Sequence, residues 1–147
     1  MTDQVYYEDV TVGDQITPAR LGVSRAQMFL FGAATNNAHR IHYDYKWATE
    51  REGYPDILVH GPLQAALMAR ALTDWGGPRS RLARIDLQNR AFAVPDEELV
   101  FTGVVTGKRI EDGEAVVDVA FREERDNGEL LMPGSATVAL PRRGVTA

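Results

Sequence analysis

The three histidines of this chain lie close together, and histidine is the side chain whose ordinary pKa permits proton exchange near neutral pH. His39, His42 and His60 all fall within residues 36–61. A histidine on a polar loop beside a pocket can remove an acidic proton or donate one to a departing hydroxyl group. The cluster therefore predicts general acid–base chemistry in this segment.

A metal site is the alternative use of the His39-x-x-His42 spacing. Zinc sites of proteins combine histidine with cysteine or with well-placed carboxylates. The chain has no cysteine, and no carboxylate stands at a convincing ligand spacing beside the pair. We therefore expect no metal, and the absence of cysteine also excludes a thiol nucleophile and disulfides.

The dipeptide Gly61-Pro62 predicts a sharp helix start, with Gly61 as N-cap and Pro62 at the first helical position. The N–H groups of Gly61 and Leu63 would then point from the positive end of the helix dipole toward a ligand. Such donors could stabilise a developing enolate oxygen, as an oxyanion hole does. The alternative is that the dipeptide only begins the helix.

Two helices are expected to position these groups. Ser24 can cap a helix over residues 25–34 in a capping box with Gln27, and a polar, irregular segment follows to about Glu52. The second helix, at about residues 62–75, is apolar on nearly all sides, so we expect other structure to surround it.

The rest of the chain has a period of two residues. Strands are predicted at residues 83–91, 99–105, 115–121 and 135–140, with a shorter strand at residues 16–23. Asp112-Gly113 and Asn127-Gly128 are typical hairpin turns. A meander of four antiparallel strands wrapped around the apolar helix would be an α+β hot-dog fold, although other α+β arrangements also fit this pattern.

Composition limits the partners of the protein. A chain of 147 residues with 44% hydrophobic and 25% charged residues fits one globular domain, residues 1–147. The net charge of −5 argues against nucleic acid, and no apolar run is long enough for a membrane helix. Residues 1–10 carry no basic side chain, which argues against a signal peptide and favours the cytoplasm. A local group of Arg79, Arg81, Arg84 and Arg90 is either a phosphate site or a solvated strand face.

Residues 31–66 read FGAATNNAHRIHYDYKWATEREGYPDILVHGPLQAA. The blocks NAHRIHYD, EGYP and VHGPL, in this order, resemble the MaoC-like hydratases and dehydratases, in particular the branch with mitochondrial-type 3-hydroxyacyl-thioester dehydratases and mesaconyl-CoA-type hydratases. The resemblance implies a hot-dog fold and reversible addition of water to an enoyl thioester. It also implies an acyl-CoA or acyl-ACP substrate and no metal or redox cofactor.

The resemblance implies roles for residues 35–44 and for the helix start. His42 matches the catalytic histidine, Asn37 stands where the family usually has a water-holding aspartate, and His39 stands where it usually has asparagine. Gly61 would bind the thioester carbonyl. Substrate contacts are expected from Leu63, Tyr43 and Tyr54.

Tyr43 and Asp44 could instead hold the loop, and Asp44 could orient a histidine. We expect the His60 ring to bond a nearby backbone group. Packing residues or pocket walls are expected at Trp47, Tyr54 and Trp75.

Two rival functions remain from the sequence. A hot-dog thioesterase would need a carboxylate beside the helix, but the opening turns carry Gln64 and no Asp or Glu. The other rival is a subunit that completes a partner's active site, and residues 73–78 resemble those of such partners. The resemblance accordingly implies a homodimer, or a heterodimer with a second hot-dog chain.

Overall fold

The computed structural model describes residues 3–144 and contains five strands and three α-helices. The strands are β1 (Ala19–Gly22), β2 (Arg81–Leu87), β3 (Glu98–Glu111), β4 (Glu114–Arg125) and β5 (Leu130–Ala139). The helices are α1 (Arg25–Ala34), α2 (Tyr45–Glu50) and α3 (Gly61–Gly76), and short 3₁₀ turns lie at Tyr7–Asp9 and Arg40–His42. None of the described helices is long and apolar enough to cross a bilayer.

The five strands form one antiparallel sheet in the order β1-β3-β4-β5-β2. Only β3, β4 and β5 form the meander, so the prediction of four consecutive strands is wrong for β2, which pairs with β5 at one edge. The reason lies in residues 88–97, which cross from this edge to the other: the Arg90 N–H donates to the Leu131 carbonyl, and the Asp96 N–H donates to that of Val23. The alternation of apolar and polar residues predicts a strand but does not indicate which other strand it pairs with.

Helix α3 packs against the concave face of the sheet. Its buried positions include Leu67, Met68 and Leu72, which join one core with strand residues such as Phe101 and Phe121. Each fully buried side chain of this size contributes about 1.5–3 kcal/mol. One stripe of α3 is nevertheless exposed, at every fourth residue: Pro62, Ala66, Arg70 and Asp74. The prediction of a helix surrounded on nearly all sides therefore fails for this stripe.

The segments around the histidines are held by helix caps. Ser24 and Gln27 form the predicted capping box at the start of α1. The irregular segment predicted to Glu52 instead contains α2, which is capped by Asp44 through its carboxylate and the Trp47 N–H, 2.9 Å apart. A six-residue helix is too short to show a helical period in the sequence.

The β2–β5 edge contains a position that only glycine fits. A Cβ on Gly134 would lie 2.3 Å from the Asp86 carbonyl oxygen and 2.3 Å from the Phe121 ring. Both neighbours belong to paired strands, so neither can move without loss of sheet pairing or core packing.

We therefore expect Gly134→Ala to lower the free energy of unfolding by about 1–3 kcal/mol, the usual cost of overpacking. Urea titration followed by circular dichroism measures this. Ser135→Ala is the matched control, because Ser135 is exposed on the same strand and should change stability by less than about 0.5 kcal/mol. Equal stabilities of the two variants would contradict the described packing.

Candidate active site

His42 is held by a hydrogen bond to the backbone that also determines which ring nitrogen carries the proton. It ends the Arg40–His42 turn, and its Nδ1 lies 2.8 Å from the Leu58 carbonyl oxygen. A carbonyl can only accept, so Nδ1 carries the proton and donates it. The Nε2 atom is left with a free lone pair, which is the arrangement that a general base needs.

The surroundings of His42 keep it neutral. The side chain is half-buried, and burial is the main reason why its pKa lies below the ordinary value of 6.5. The hydrogen bond to Leu58 opposes this shift, and the nearby His39 adds to it. His42 is therefore a neutral base near neutral pH.

His60 lies directly behind His42. Its ring is 1% exposed and stacks on the His42 ring with centroids 3.9 Å apart, and the Phe31 ring lies 5.2 Å away on an edge. Neither ring nitrogen has a hydrogen-bond partner among the described residues, so the prediction that the ring bonds a backbone group is wrong. Burial, and then repulsion from His42 once that ring is protonated, lower the pKa of His60 to about 4.

The start of α3 differs from the prediction by one residue. His60 is the N-cap, with extended backbone, so Gly61 is the first helical residue and Pro62 the second. The N–H groups of Leu63 and Gln64 both donate to the His60 carbonyl, at 2.9 and 3.1 Å. The Leu63 amide is thus occupied and does not serve the predicted cradle, whereas the Gly61 N–H has no acceptor among the residues described.

A cavity of about 350 Å³ brings His42 and the helix start together; we call it the helix-start cavity. Its lining includes His42, Tyr54, Gly61, Gln64, Asn89 and Arg90. A Cβ on Gly61 would lie 2.7 Å from Asn89 Nδ2, so the missing side chain leaves room for Asn89 against the helix start. The residue with the neutral base and the residue with the available backbone donor therefore line one cavity.

A larger cavity of about 510 Å³ lies on the other side of His42, against α1; we call it the α1 cavity. His42 and His60 line it together with Asn37 and Tyr43. Its remaining lining residues are Met28, Phe29, Gly32, Ala33, Asn36 and Ala38. The structure thus places Asn37 and Tyr43 beside His42, whereas Tyr54 borders the helix-start cavity.

The polar groups of Asn37 and His39 are partly used by the loop itself. Asn37 Oδ1 accepts the His39 N–H at 3.2 Å, and His39 Nδ1 accepts the Ile41 N–H at 3.4 Å. The His39 ring is exposed, with its centroid 5.9 Å from that of His42. His39 is therefore a neighbour of His42 that lines neither cavity.

Asp44 binds the loop and does not orient a histidine. Its carboxylate caps α2 and accepts from Arg40 Nη2 at 2.6 Å. The Trp47 amide and then Arg40 hold the pKa of this carboxyl below its ordinary value. Arg40 in turn lies over the Trp47 ring, 4.0 Å from its centroid, so Trp47 packs against the loop as expected.

The arginine group predicted from the sequence divides in the structure. Arg81 pairs with Glu114, and Arg84 pairs with Asp86, on the exposed strand surface. Arg90 instead lines the helix-start cavity.

Asn89 and Glu123 are the site neighbours that sequence reasoning missed, because neither belongs to a motif. The described residues contain no group of three His, Cys, Asp or Glu side chains that could hold a metal ion.

The sheet curled around one long helix is the hot-dog fold, which solved structures share. An (R)-hydratase from A. caviae has a TM-score of 0.80 and 21% identity, over 91% of this chain and 99% of that chain. A MaoC-like dehydratase from Rhodospirillum rubrum has a TM-score of 0.81 and 24% identity, over 96% and 99%. A chain of the ChsH1–ChsH2 complex from Mycobacterium tuberculosis has a TM-score of 0.75 and 22% identity, over 88% and 98%.

Sequence comparison identifies the family within this fold. Residues 8–95 match the model of hydroxyacyl-thioester dehydratase type 2, and the chain belongs to that family. A segment of 41 residues is also 58% identical to mesaconyl-C(4)-CoA hydratase from Chloroflexus aurantiacus. This segment is 28% of the chain and 15% of that hydratase, so the chain matches a small part of the relative's length.

The buried neutral His60 predicts a pH-dependent loss of stability. Its pKa is about 4 in the folded chain against an ordinary 6.5, so the unfolded chain binds a proton first as the pH falls. From pH 7 to pH 5 this lowers the free energy of unfolding by about 2 kcal/mol. His60→Phe keeps a flat ring against His42 and should remove this part of the dependence in urea titrations. His39→Phe is the control. If the difference in the free energy of unfolding between wild type and His60→Phe does not change with pH, the prediction is wrong.

Proposed function

We propose that this protein catalyses the reversible hydration of an enoyl thioester to a 3-hydroxyacyl thioester. The observation that carries the proposal is the shared cavity: His42, whose Nε2 is the basic nitrogen, and Gly61, whose N–H has no acceptor among residues 3–144, line the same space. The first is a base for a carbon-bound proton, and the second is a donor for an enolate oxygen. Membership of the hydroxyacyl-thioester dehydratase type 2 family supports the same reaction.

In the dehydration direction, the thioester carbonyl accepts a hydrogen bond from the Gly61 N–H at the positive end of α3. This stabilises the enolate and so acidifies the α-carbon. His42 Nε2 takes the α-proton and delivers it to the β-hydroxyl group. The C–O bond then breaks, the C=C bond forms, and water leaves. Hydration is the reverse sequence.

The remaining site residues have supporting roles in this proposal. The Asn37 amide can orient water by donation but cannot act as a base, whereas His39, whose exposed ring lines neither cavity, acts at most indirectly through His42. Tyr43 and Tyr54 form walls of the two cavities. Arg90 offers a cation at the edge of the helix-start cavity for a phosphate of the carrier, which is coenzyme A or acyl carrier protein.

A second hot-dog chain completes the assembly in our proposal. Strand β2 is an edge strand of the sheet, so one row of its backbone groups is free to pair with another strand. A homodimer would use this edge twice. The alternative is a heterodimer in which this chain completes a partner's site, and the likeness to a chain of the ChsH1–ChsH2 complex favours testing it.

A thioesterase is the competing reaction on the same ligand. The opening turns of α3 carry Gln64, and a carboxyl group does lie against it, since Gln64 Nε2 is 2.9 Å from Glu123 Oε1. Glu123 is fully buried, however, so it has no access to the water that hydrolysis would need. Loss of enone absorbance without release of a free thiol from crotonyl-CoA would support the hydratase.

His42→Ala should lower kcat/KM for crotonyl-CoA hydration by about 10²–10⁴-fold, because it removes the general acid–base. The measurement is the loss of enone absorbance, with circular dichroism to show that the fold is intact. His39→Ala is the matched control, since that ring lines neither cavity, and it should lose far less activity. Turnover of His42→Ala close to that of wild type would overturn the assignment of His42.

Gly61→Ala should lower kcat about 10- to 100-fold, because the added methyl group displaces Asn89 and blocks the approach of the carbonyl to the backbone donor. The fold should persist, since Asn89 is exposed and can turn away. Gly61→Ala combined with Asn89→Ala is the matched control for this displacement. Full activity of Gly61→Ala would show that the substrate carbonyl does not approach this amide.

A further inference from the structure

A buried carboxyl group lies beside the site without a part in the reaction described above. Glu123 is on the inner face of β4, directly between Phe101 of β3 and Met132 of β5. Its side chain and both of these neighbours are 0% exposed. A carboxyl group in such apolar surroundings is a costly feature, and it needs an explanation in this chain.

The hydrogen bonding of Glu123 is incomplete. Its Oε1 accepts from Gln64 Nε2 at 2.9 Å, whereas its Oε2 is buried and has no partner among the described residues. Burial raises its pKa to about 7, and the bond from Gln64 opposes this shift. Apolar side chains in place of both partners would usually keep or increase stability. Stability therefore gives no reason for this pair.

The pair points at the site through Gln64. Gln64 is 2% exposed and borders the helix-start cavity with His42 and Gly61. Because the amide nitrogen donates to Glu123, the carboxamide oxygen is the group left over, and no described residue donates to it. Ionised Glu123 can only accept hydrogen bonds, so in this form it determines which end of the Gln64 amide is available to a ligand.

The reaction has a use for such an acceptor. Water that adds to the β-carbon carries two protons, and one of them passes through His42 Nε2 to the α-carbon. The other stays on the new hydroxyl group and needs an acceptor. The Asn37 side-chain oxygen already accepts the His39 N–H.

We propose that the Gln64 carboxamide oxygen holds the water or β-hydroxyl group at the reacting carbon, and that Glu123 is the positioning residue that turns this oxygen toward the helix-start cavity. The inference rests on the proposed function of this site. It explains the presence of the buried carboxyl group: Glu123 holds the Gln64 amide in one orientation, whereas without it the amide could flip.

Four variants test this with crotonyl-CoA: Gln64→Leu, Glu123→Met, Glu123→Gln and the double variant Gln64→Leu with Glu123→Met. We expect Gln64→Leu and Glu123→Met to lower kcat about 10- to 100-fold with little change in KM, because the lost contact is to the adding water. Glu123→Gln can either accept from Gln64 or donate to it, so both amide orientations are populated and roughly half of the activity should remain. The double variant should be no less active than Gln64→Leu, because Glu123 acts through Gln64.

Thermal unfolding separates positioning from a structural role. The double variant should unfold at the temperature of wild type or above it, while remaining impaired in kcat. A stable double variant with full activity would overturn the inference. A defect confined to KM would do the same, and so would a Glu123→Gln variant as impaired as Glu123→Met. None of these three results would contradict the proposed function. Wild type without hydration activity would overturn the proposed function, and the inference with it.

Discussion

The hydrogen bond from His42 Nδ1 to the Leu58 carbonyl ties the histidine loop, residues 35–44, to the start of α3. Leu58 uses both of its backbone groups for this, since its N–H also donates to the Ile41 carbonyl at 2.8 Å. The buried segment 57–60 then continues directly into the helix, and Val59 is bound to the crossing segment through the Ala93 carbonyl at 2.8 Å. One short stretch of chain therefore fixes the proposed base and the proposed oxyanion donor relative to each other, which is the preorganisation that catalysis needs.

The same packing sets the electrostatics of the site. His42 and His60 stack in contact, and burial lowers the pKa of both rings. Burial is the main reason why His42 stays uncharged, so that its Nε2 can accept a proton. The two His60 ring nitrogens have no hydrogen-bond partner in the part of the chain that the structure describes, which reduces the stability of the fold. Such a cost is common at sites where function and stability compete.

Much of the fold could be predicted from local patterns, and what could not is of a different physical kind. The capping box at Ser24 and the long strands have short-range signals, and so does α3. The position of β2 beside β5 depends on the path of residues 88–97, which has no local signal. Of the site, His42 could be found because the family resemblance covers its loop. The sequence shows Gln64 only as a polar residue in the opening turns of α3 and has no signal for Glu123, because their contact joins residues 59 positions apart. The stacking of His60 on His42 has no local sequence signal either, because it depends on how the buried His60 packs in the folded chain.

The structure of the protein with butyryl-CoA, an unreactive saturated thioester, tests the account most directly. We expect the thioester oxygen to lie within about 3.2 Å of the Gly61 nitrogen. The α-carbon should lie about 3–3.5 Å from His42 Nε2, near enough for proton transfer. A thioester bound with its carbonyl away from the start of α3, or with His42 Nε2 turned from the acyl group, would contradict it.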